Sequence, residues 1–276
     1  MHDVKSGDVA IPALGFGTWQ LEGDVARRMT EAALEIGYRH IDTAQIYKNE
    51  REVGAAIATS QVARKDIFLT TKVWVDRFAK GDLQASVEES LERLGVEHVD
   101  LLLLHWPKAA PALEETMEAL NDVQARGWTR AIGVSNFPSS QWRKAAALAA
   151  TPLATNQVEY HPYLSQKTLL ATAKDLGASL TAWSPLAQGK IADEAVIGDI
   201  AKARGKTAGQ VTLRWLTQQD GVIAIPRTQK ESRARENFDI SDFTLTAEEM
   251  AKIHALAAPD GRLGDWLDPA FKWDAE

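Results

Sequence analysis

Cysteine is absent from all 276 residues, which excludes disulfides, zinc–thiolate sites and cysteine nucleophiles. No window approaches the ~18 apolar residues of a membrane span. The opening Met1-His2-Asp3-Val4-Lys5-Ser6-Gly7 lacks an apolar export segment. A cytoplasmic protein without membrane contact is therefore expected. Positive charge is also in deficit. The 31 Lys and Arg stand against 38 Asp and Glu, and the net charge of −7 gives no support to nucleic-acid binding. The glycine fingerprint of a dinucleotide fold is incomplete as well. Gly15-Phe16-Gly17 is followed by Gln20 where a third glycine belongs, which disfavours an open doubly wound sheet.

What is present is an ordinary globular mix, 45% hydrophobic and 25% charged, with ample length for one large core. Short apolar runs alternate with longer amphipathic ones. The strand-like runs are Leu14-Gly17, Tyr38-Asp42, Ile67-Lys72, Val99-Leu104, Ala131-Ser135, Thr155-Glu159, Ser179-Trp183 and Val222-Pro226. Helical stretches follow near 24–36, 49–58, 83–94, 113–126, 141–149 and 166–176. Pairs near 194–204 and 208–218, then 232–237 and 247–256, complete the set. Gly95, Gly127, Gly177 and Gly205 fall where helix-terminating glycines belong. Eight strand–helix units without an internal linker predict α/β architecture, a single (β/α)₈ TIM-barrel domain over residues 1–276. Asp3-Ser6 and Val9-Ile11, flanking Gly7-Asp8, predict a short N-terminal β-hairpin capping one barrel end.

In such a barrel, chemistry collects at the carboxyl ends of the strands. That rule selects Asp42, Tyr47, Lys72 and His105, then Ser135-Asn136, Gln157, Trp183-Ser184 and Arg227-Thr228. Each has a bland explanation when taken alone: Tyr47 as packing, His105 as a satisfied loop residue, Asp42 as a cap. Lys72 is harder to dismiss, because a buried ammonium without a partner is costly and Asp42 is the natural counterion. Together the four suggest a proton-transfer centre. Lys72 would lower the Tyr47 pKa and make the phenol a usable acid, while His105 would donate to an oxygen gaining negative charge. Such a centre suits protonating a carbonyl oxygen while hydride reaches carbon. No side chain carries hydride, so a nicotinamide cofactor is implied.

Arg227, Lys230 and Arg233 concentrate cations in an acidic chain, and their spacing would place them on neighbouring faces of a helical turn. The alternatives are a solvated helix face and a phosphate site after strand eight. Trp19, Trp74 and Trp106 follow strand ends, as rim packing or as an apolar wall around a small substrate. Trp183 could stack on a planar ring.

Taken together, these segments resemble the aldo-keto reductases. The likeness is carried by Gly37-Tyr38-Arg39-His40-Ile41-Asp42-Thr43-Ala44 with Tyr47, Thr71-Lys72-Val73-Trp74 and Leu104-His105-Trp106-Pro107. It continues through Gly133-Val134-Ser135-Asn136-Phe137, Asn156-Gln157-Val158-Glu159, Trp183-Ser184-Pro185-Leu186 and Ile225-Pro226-Arg227-Thr228. The resemblance implies a barrel binding NADPH, with NADH as a weaker alternative. It makes Tyr47 the acid, Lys72 and Asp42 its tuning pair, and His105 the carbonyl-orienting residue. It implies cofactor contacts at Gly17, Thr18 and Asp42, and at the carboxamide from Ser135, Asn136 and Gln157. Trp183 would stack on nicotinamide and Ser184 and Leu186 would meet pyrophosphate. Arg227, Thr228 and Arg233 would grip the 2′-phosphate, with Glu236 and Asn237 near adenine. The substrate pocket would be lined by Trp19, Tyr47, Trp74, His105 and Trp106.

Trp183 with Ala187-Gln188-Gly189-Lys190, and Glu159-Tyr160-His161-Pro162-Tyr163-Leu164, is most similar to the bacterial 2,5-diketo-D-gluconate and methylglyoxal reductase branch. That implies a monomer acting on a small carbonyl compound. Leu263-Gly264-Asp265-Trp266-Leu267-Asp268-Pro269 falls in the segment that shapes the family's substrate pocket. Two rivals are weighed. A metal-dependent barrel hydrolase would draw on His40, Asp42, Lys72, His105 and His161. A non-catalytic NADPH-binding regulatory protein would use the same fold.

Overall fold

A computed structural model describes residues 2–264 and 271–274. The hairpin is β1 (Asp3–Ser6) paired antiparallel with β2 (Val9–Pro12). The barrel strands are β3 (Phe16–Gly17), β4 (His40–Asp42), β5 (Phe68–Val73), β6 (Val99–Leu104), β7 (Thr129–Ser135), β8 (Thr155–Glu159), β9 (Ser179–Trp183) and β10 (Val222–Ala224). All neighbours run parallel in the order β3 to β10, and a parallel bridge between Leu14 and Ala224 closes the cylinder. The (β/α)₈ expectation holds.

The helices are α1 (Gly23–Ile36), α2 (Glu50–Thr59), α3 (Asp82–Leu94), α4 (Leu113–Ala125), α5 (Ser139–Leu148), α6 (Lys167–Leu176), α7 (Ala195–Arg204), α8 (Ala208–Thr217), α9 (Glu231–Phe238) and α10 (Ala247–His254). Among the described residues, no helix is long and apolar enough to cross a membrane.

Alternation along each strand sorts side chains between the barrel interior and the helix layer. Ile41, Leu69, Leu102, Leu104, Ile132 and Val134 join the large outer core beneath the helices. The opposite parity faces inward and changes chemistry with height. Phe68, Leu101, Leu103, Ala131 and Ile223 form an apolar plug with Val4 and Ile11, so the hairpin caps the barrel floor as predicted. Gly7, at φ +56°, turns the hairpin and donates to the Gly177 carbonyl at 3.0 Å. Above the plug lie His40 with Thr70 (3.1 Å) and Thr155 with Thr181 (2.9 Å). Asp42, Lys72 and Gln157, each two residues further along its strand, form the next level up. The inward period of two thus carries the chain from hydrocarbon to charge over three levels.

Candidate active site

Lys72 is fully buried, and its charge is matched by Asp42, whose Oδ1 lies 2.6 Å from Nζ. Nζ also donates to the Thr43 carbonyl at 2.9 Å and to the Tyr47 hydroxyl at 3.2 Å. Asp42 Oδ2 accepts from Gln157 Nε2 at 2.7 Å, so both of its oxygens have donors. His105 closes the group, with its ring 5.6 Å from that of Tyr47. The four residues selected by strand position therefore converge. Tyr47 reaches the centre because a 3₁₀ turn, Gln45–Tyr47, follows β4 and folds it back over the mouth.

Burial favours a neutral amine at Lys72, but Asp42 and Tyr47 outweigh it and hold Lys72 above its ordinary value, hence charged. Burial, seconded by Lys72, takes His105 well below the usual imidazole value, so it is neutral at physiological pH. One expectation is overturned. Lys72 does pull the Tyr47 pKa down, but burial pushes it up by more, and the net direction is upward. The phenol is a firmly protonated donor rather than a partly ionised one. Burial could not be read from the sequence, and it decides the sign.

Trp19 lies 4.8 Å from the Tyr47 ring and Trp74 5.2 Å from that of His105. Trp106 meets Phe271 at 6.4 Å and Trp273 at 5.9 Å. Trp19 and Trp74 therefore flank the Tyr47–His105 pair, while Trp106 packs against the carboxyl-terminal aromatics. Asp265–Pro269, the tail residues singled out from the sequence, lie outside the described residues.

The groups that suggested a metal site are bonded to other partners or lack a second ligand beside them. His40 bonds Thr70, and burial takes its pKa down to about 4. His161 pairs with Glu159, and Asp42 is taken up by Lys72 and Gln157. Among the described residues, no three His, Asp or Glu side chains stand where they could hold a metal ion.

The model of the Aldo/keto reductase family matches residues 13–258. The chain belongs to the aldo/keto reductase family. It is 41% identical to methylglyoxal reductase DkgB of Escherichia coli O157:H7 over 267 residues, 94% of this chain and 100% of that protein. A crystal structure of a candidate 2,5-diketo-D-gluconic acid reductase B superposes with a TM-score of 0.97 at 50% identity, covering 100% of this chain and 98% of that one. The Bombyx mori aldo-keto reductase, solved in complex with NADP, gives a TM-score of 0.85 at 32% identity over 92% of each chain. The protein is thus an NADP-dependent oxidoreductase of carbonyl compounds.

For an aldo/keto reductase, the remaining mouth residues are placed as follows. Gly17 N donates to the Pro226 carbonyl at 3.0 Å, and Thr18 Oγ1 to that of Asp42 at 2.9 Å. Ser135 Oγ donates to the Gln157 carbonyl at 2.7 Å. Asn136, at φ +63°, donates to the His105 carbonyl and to Ser135 Oγ, both at 3.0 Å, and accepts from Trp183 Nε1 at 2.9 Å. After β9, Ser184, Ala187 and Gln188 are non-glycine residues with φ of +48°, +46° and +55°. Left-handed backbone of this kind costs about 1–3 kcal/mol per residue and gathers at ligand clamps. Within this loop Ala187 N donates to the Ser184 carbonyl at 2.9 Å and Gly189 N to the Leu186 carbonyl at 2.8 Å.

The cationic segment departs from the helical reading. Residues 227–230 precede α9 because Thr228 Oγ1 accepts from Lys230 N at 3.1 Å, a local turn that competes with helix. Of Arg227, Lys230 and Arg233, only Arg233 lies on α9, where it is exposed. Arg227 donates to the Trp19 carbonyl and to Gln20 Oε1, both at 2.9 Å. Glu236 accepts from Thr207 at 2.8 Å, and Asn237 is buried.

Three supporting residues escaped the sequence reading. Gln45 donates to the Ser86 carbonyl and Ser90 Oγ at 3.0 Å and accepts from Trp74 N at 3.0 Å, joining the Tyr47 turn to the Lys72 strand. Asn49 precedes α2 like a cap, yet it spends its amide on the Thr18 and Leu21 carbonyls at 2.9 Å. Glu159, the last residue of β8, is fully buried. An asparagine or glutamine beside the Tyr47 motif is the only local signal, and none marks these partners.

Proposed function

We propose that this aldo/keto reductase reduces small vicinal dicarbonyls or keto-sugar acids, such as methylglyoxal or 2,5-diketo-D-gluconate, with Tyr47 as proton donor. The observation that carries the mechanism is the buried chain Gln157–Asp42–Lys72–Tyr47, with hydrogen bonds of 2.7, 2.6 and 3.2 Å. NADPH, when bound, supplies the hydride. Tyr47 gives its proton to the carbonyl oxygen, and Lys72 steadies the phenolate that remains. Asp42 keeps Lys72 charged and aimed. A neutral His105 can donate a hydrogen bond to the same oxygen without competing as an acid. Trp19, Trp74 and Trp106 exclude water and favour a small substrate. The names of the relatives support the substrate class.

Ser135, Asn136, Gln157 and Trp183 are assigned to the nicotinamide end, and Gly17 and Thr18 to the rim beside Asp42. The strained loop at Ser184–Leu186 is assigned to pyrophosphate. Arg227, Thr228 and Arg233 are assigned to the 2′-phosphate, with Glu236 and Asn237 at adenine. Exposed Arg233, on the first turn of α9, is the strongest phosphate assignment, since Arg227 is partly engaged by the Trp19–Gln20 turn. The reading includes a single-domain monomer in the cytoplasm, with NADH as the poorer cofactor. A non-catalytic NADPH-binding role is disfavoured by the completeness of the proton chain.

Arg233→Ala is expected to weaken NADPH binding about tenfold while changing NADH binding less than about twofold, as loss of one charge-assisted phosphate contact requires. Titration of protein fluorescence with each nucleotide checks this. Equal losses for both would remove Arg233 from the phosphate site.

A further inference from the structure

The segment Glu159-Tyr160-His161-Pro162-Tyr163-Leu164 has no part in the chemistry above, yet it opens with a fully buried carboxylate. Glu159 ends β8 two residues beyond Gln157, so both side chains lie on the inward face. A buried carboxylate demands donors. Glu159 finds them in the carboxyl-terminal segment. Leu263 N donates to Oε1 at 2.7 Å and Gly264 N to Oε2 at 3.0 Å. His161 Nε2 lies 2.9 Å from Oε1, and the Arg262 guanidinium 3.7 Å from Oε2. Gln166 Nε2 fixes the Glu159 backbone carbonyl at 2.6 Å.

The seat is steric as well as polar. A Cβ at Gly264 would collide with the indole of Trp183, so the segment threads between Glu159 and the ring assigned to nicotinamide. Beyond it, Arg262 stacks over Trp273 at 3.6 Å, and Trp273 leans on Trp106 of the substrate wall. Asp274 then accepts from Ser139 N and Oγ at 2.8 and 2.6 Å, at the start of α5. Leu263 and Gly264 are therefore held by Glu159, and Asp274 by Ser139, with Trp273 touching Trp106.

We infer that Glu159 is a positioning residue that clamps the carboxyl-terminal segment against Trp183 and thereby sets which carbonyl compounds the pocket accepts. The inference rests on the proposed function only in taking Trp106 and Trp183 to border the reacting carbonyl. Glu159→Gln turns one acceptor into an NH₂ group facing a backbone N–H, so the clamp fails. Gly264→Ala attacks the same seat from the other side and leaves Glu159 intact.

The experiment is limited trypsin digestion of the full-length protein, with mass spectrometry of cleavage after Arg262 and Lys272. It is paired with kcat/KM for methylglyoxal and for a larger aryl aldehyde. Both variants are expected to be cut about tenfold faster at these sites. Their preference should shift about tenfold toward the larger aldehyde, with NADPH affinity of Glu159→Gln held within about threefold. Wild-type cleavage rates and selectivity in folded Glu159→Gln would overturn the inference. If that variant does not fold, Gly264→Ala decides by the same two readouts. Wild-type protein inactive on every aldehyde would instead sink the functional reading, and the cleavage rates would still judge the clamp.

Discussion

Tyr47→Phe is expected to lower kcat/KM for carbonyl reduction by roughly 10³-fold, within the range lost with a positioned general acid. NADPH affinity should stay within about twofold, because only the hydroxyl is removed and the ring keeps its contacts with Trp19 and His105. Fluorescence titration and steady-state kinetics on one preparation check both halves. The pH profile belongs to the same argument. An acid works while protonated, and burial moves the Tyr47 pKa upward. Reduction should therefore remain flat through neutral pH and decline only above about 10, the ordinary phenol value. Burial has also moved His105 downward, so it stays neutral across that window. A wild-type profile falling through pH ~7 would contradict this assignment of the acid.

Lys72→Met is the second large effect, on stability as well as rate. It leaves Asp42 buried with Gln157 as its remaining side-chain donor. Breaking a buried ion pair from one side costs about 3–5 kcal/mol, because the other charge stays desolvated. In a domain of this size that is roughly a 10 °C fall in Tm. Turnover should drop at least about a hundredfold, since nothing then steadies the phenolate. Asp42→Asn combined with Lys72→Met removes both charges and should recover most of the lost stability but none of the activity. The double-mutant cycle separates the two roles. Additive stability losses in calorimetry would mean that the pair is not energetically coupled.

The sequence exposed much of this arrangement because strand periodicity and the strand-end rule act locally. Asp42, Lys72, His105 and Gln157 each lie near the top of an inward-facing row, and that row can be counted from the pattern alone. Local chemistry also misled at one point. Arg227, Lys230 and Arg233 have helical spacing, but the Thr228 hydroxyl captures Lys230 N and delays the start of α9. The direction of the Tyr47 shift was not legible, since two opposing influences of similar kind are ranked only by burial. Nor were the roles of Gln45, Asn49 and Glu159. Deciding partners of each, Trp74 for Gln45, Leu21 for Asn49 and Gly264 for Glu159, lie 29, 28 and 105 residues away, across contacts that only the closed barrel brings together.

In the proposed mechanism, Tyr47 protonates a carbonyl whose carbon receives hydride from NADPH. The most direct test uses NADPH carrying deuterium at the transferring position, with methylglyoxal, wild-type protein and Tyr47→Phe side by side. Mass spectrometry of the wild-type product should find one deuterium on the former carbonyl carbon for each NADPH oxidised. Tyr47→Phe should bind the cofactor and yield almost none of that alcohol. Bound NADPH with no labelled alcohol from wild-type protein, or equal labelling by Tyr47→Phe, would contradict the account.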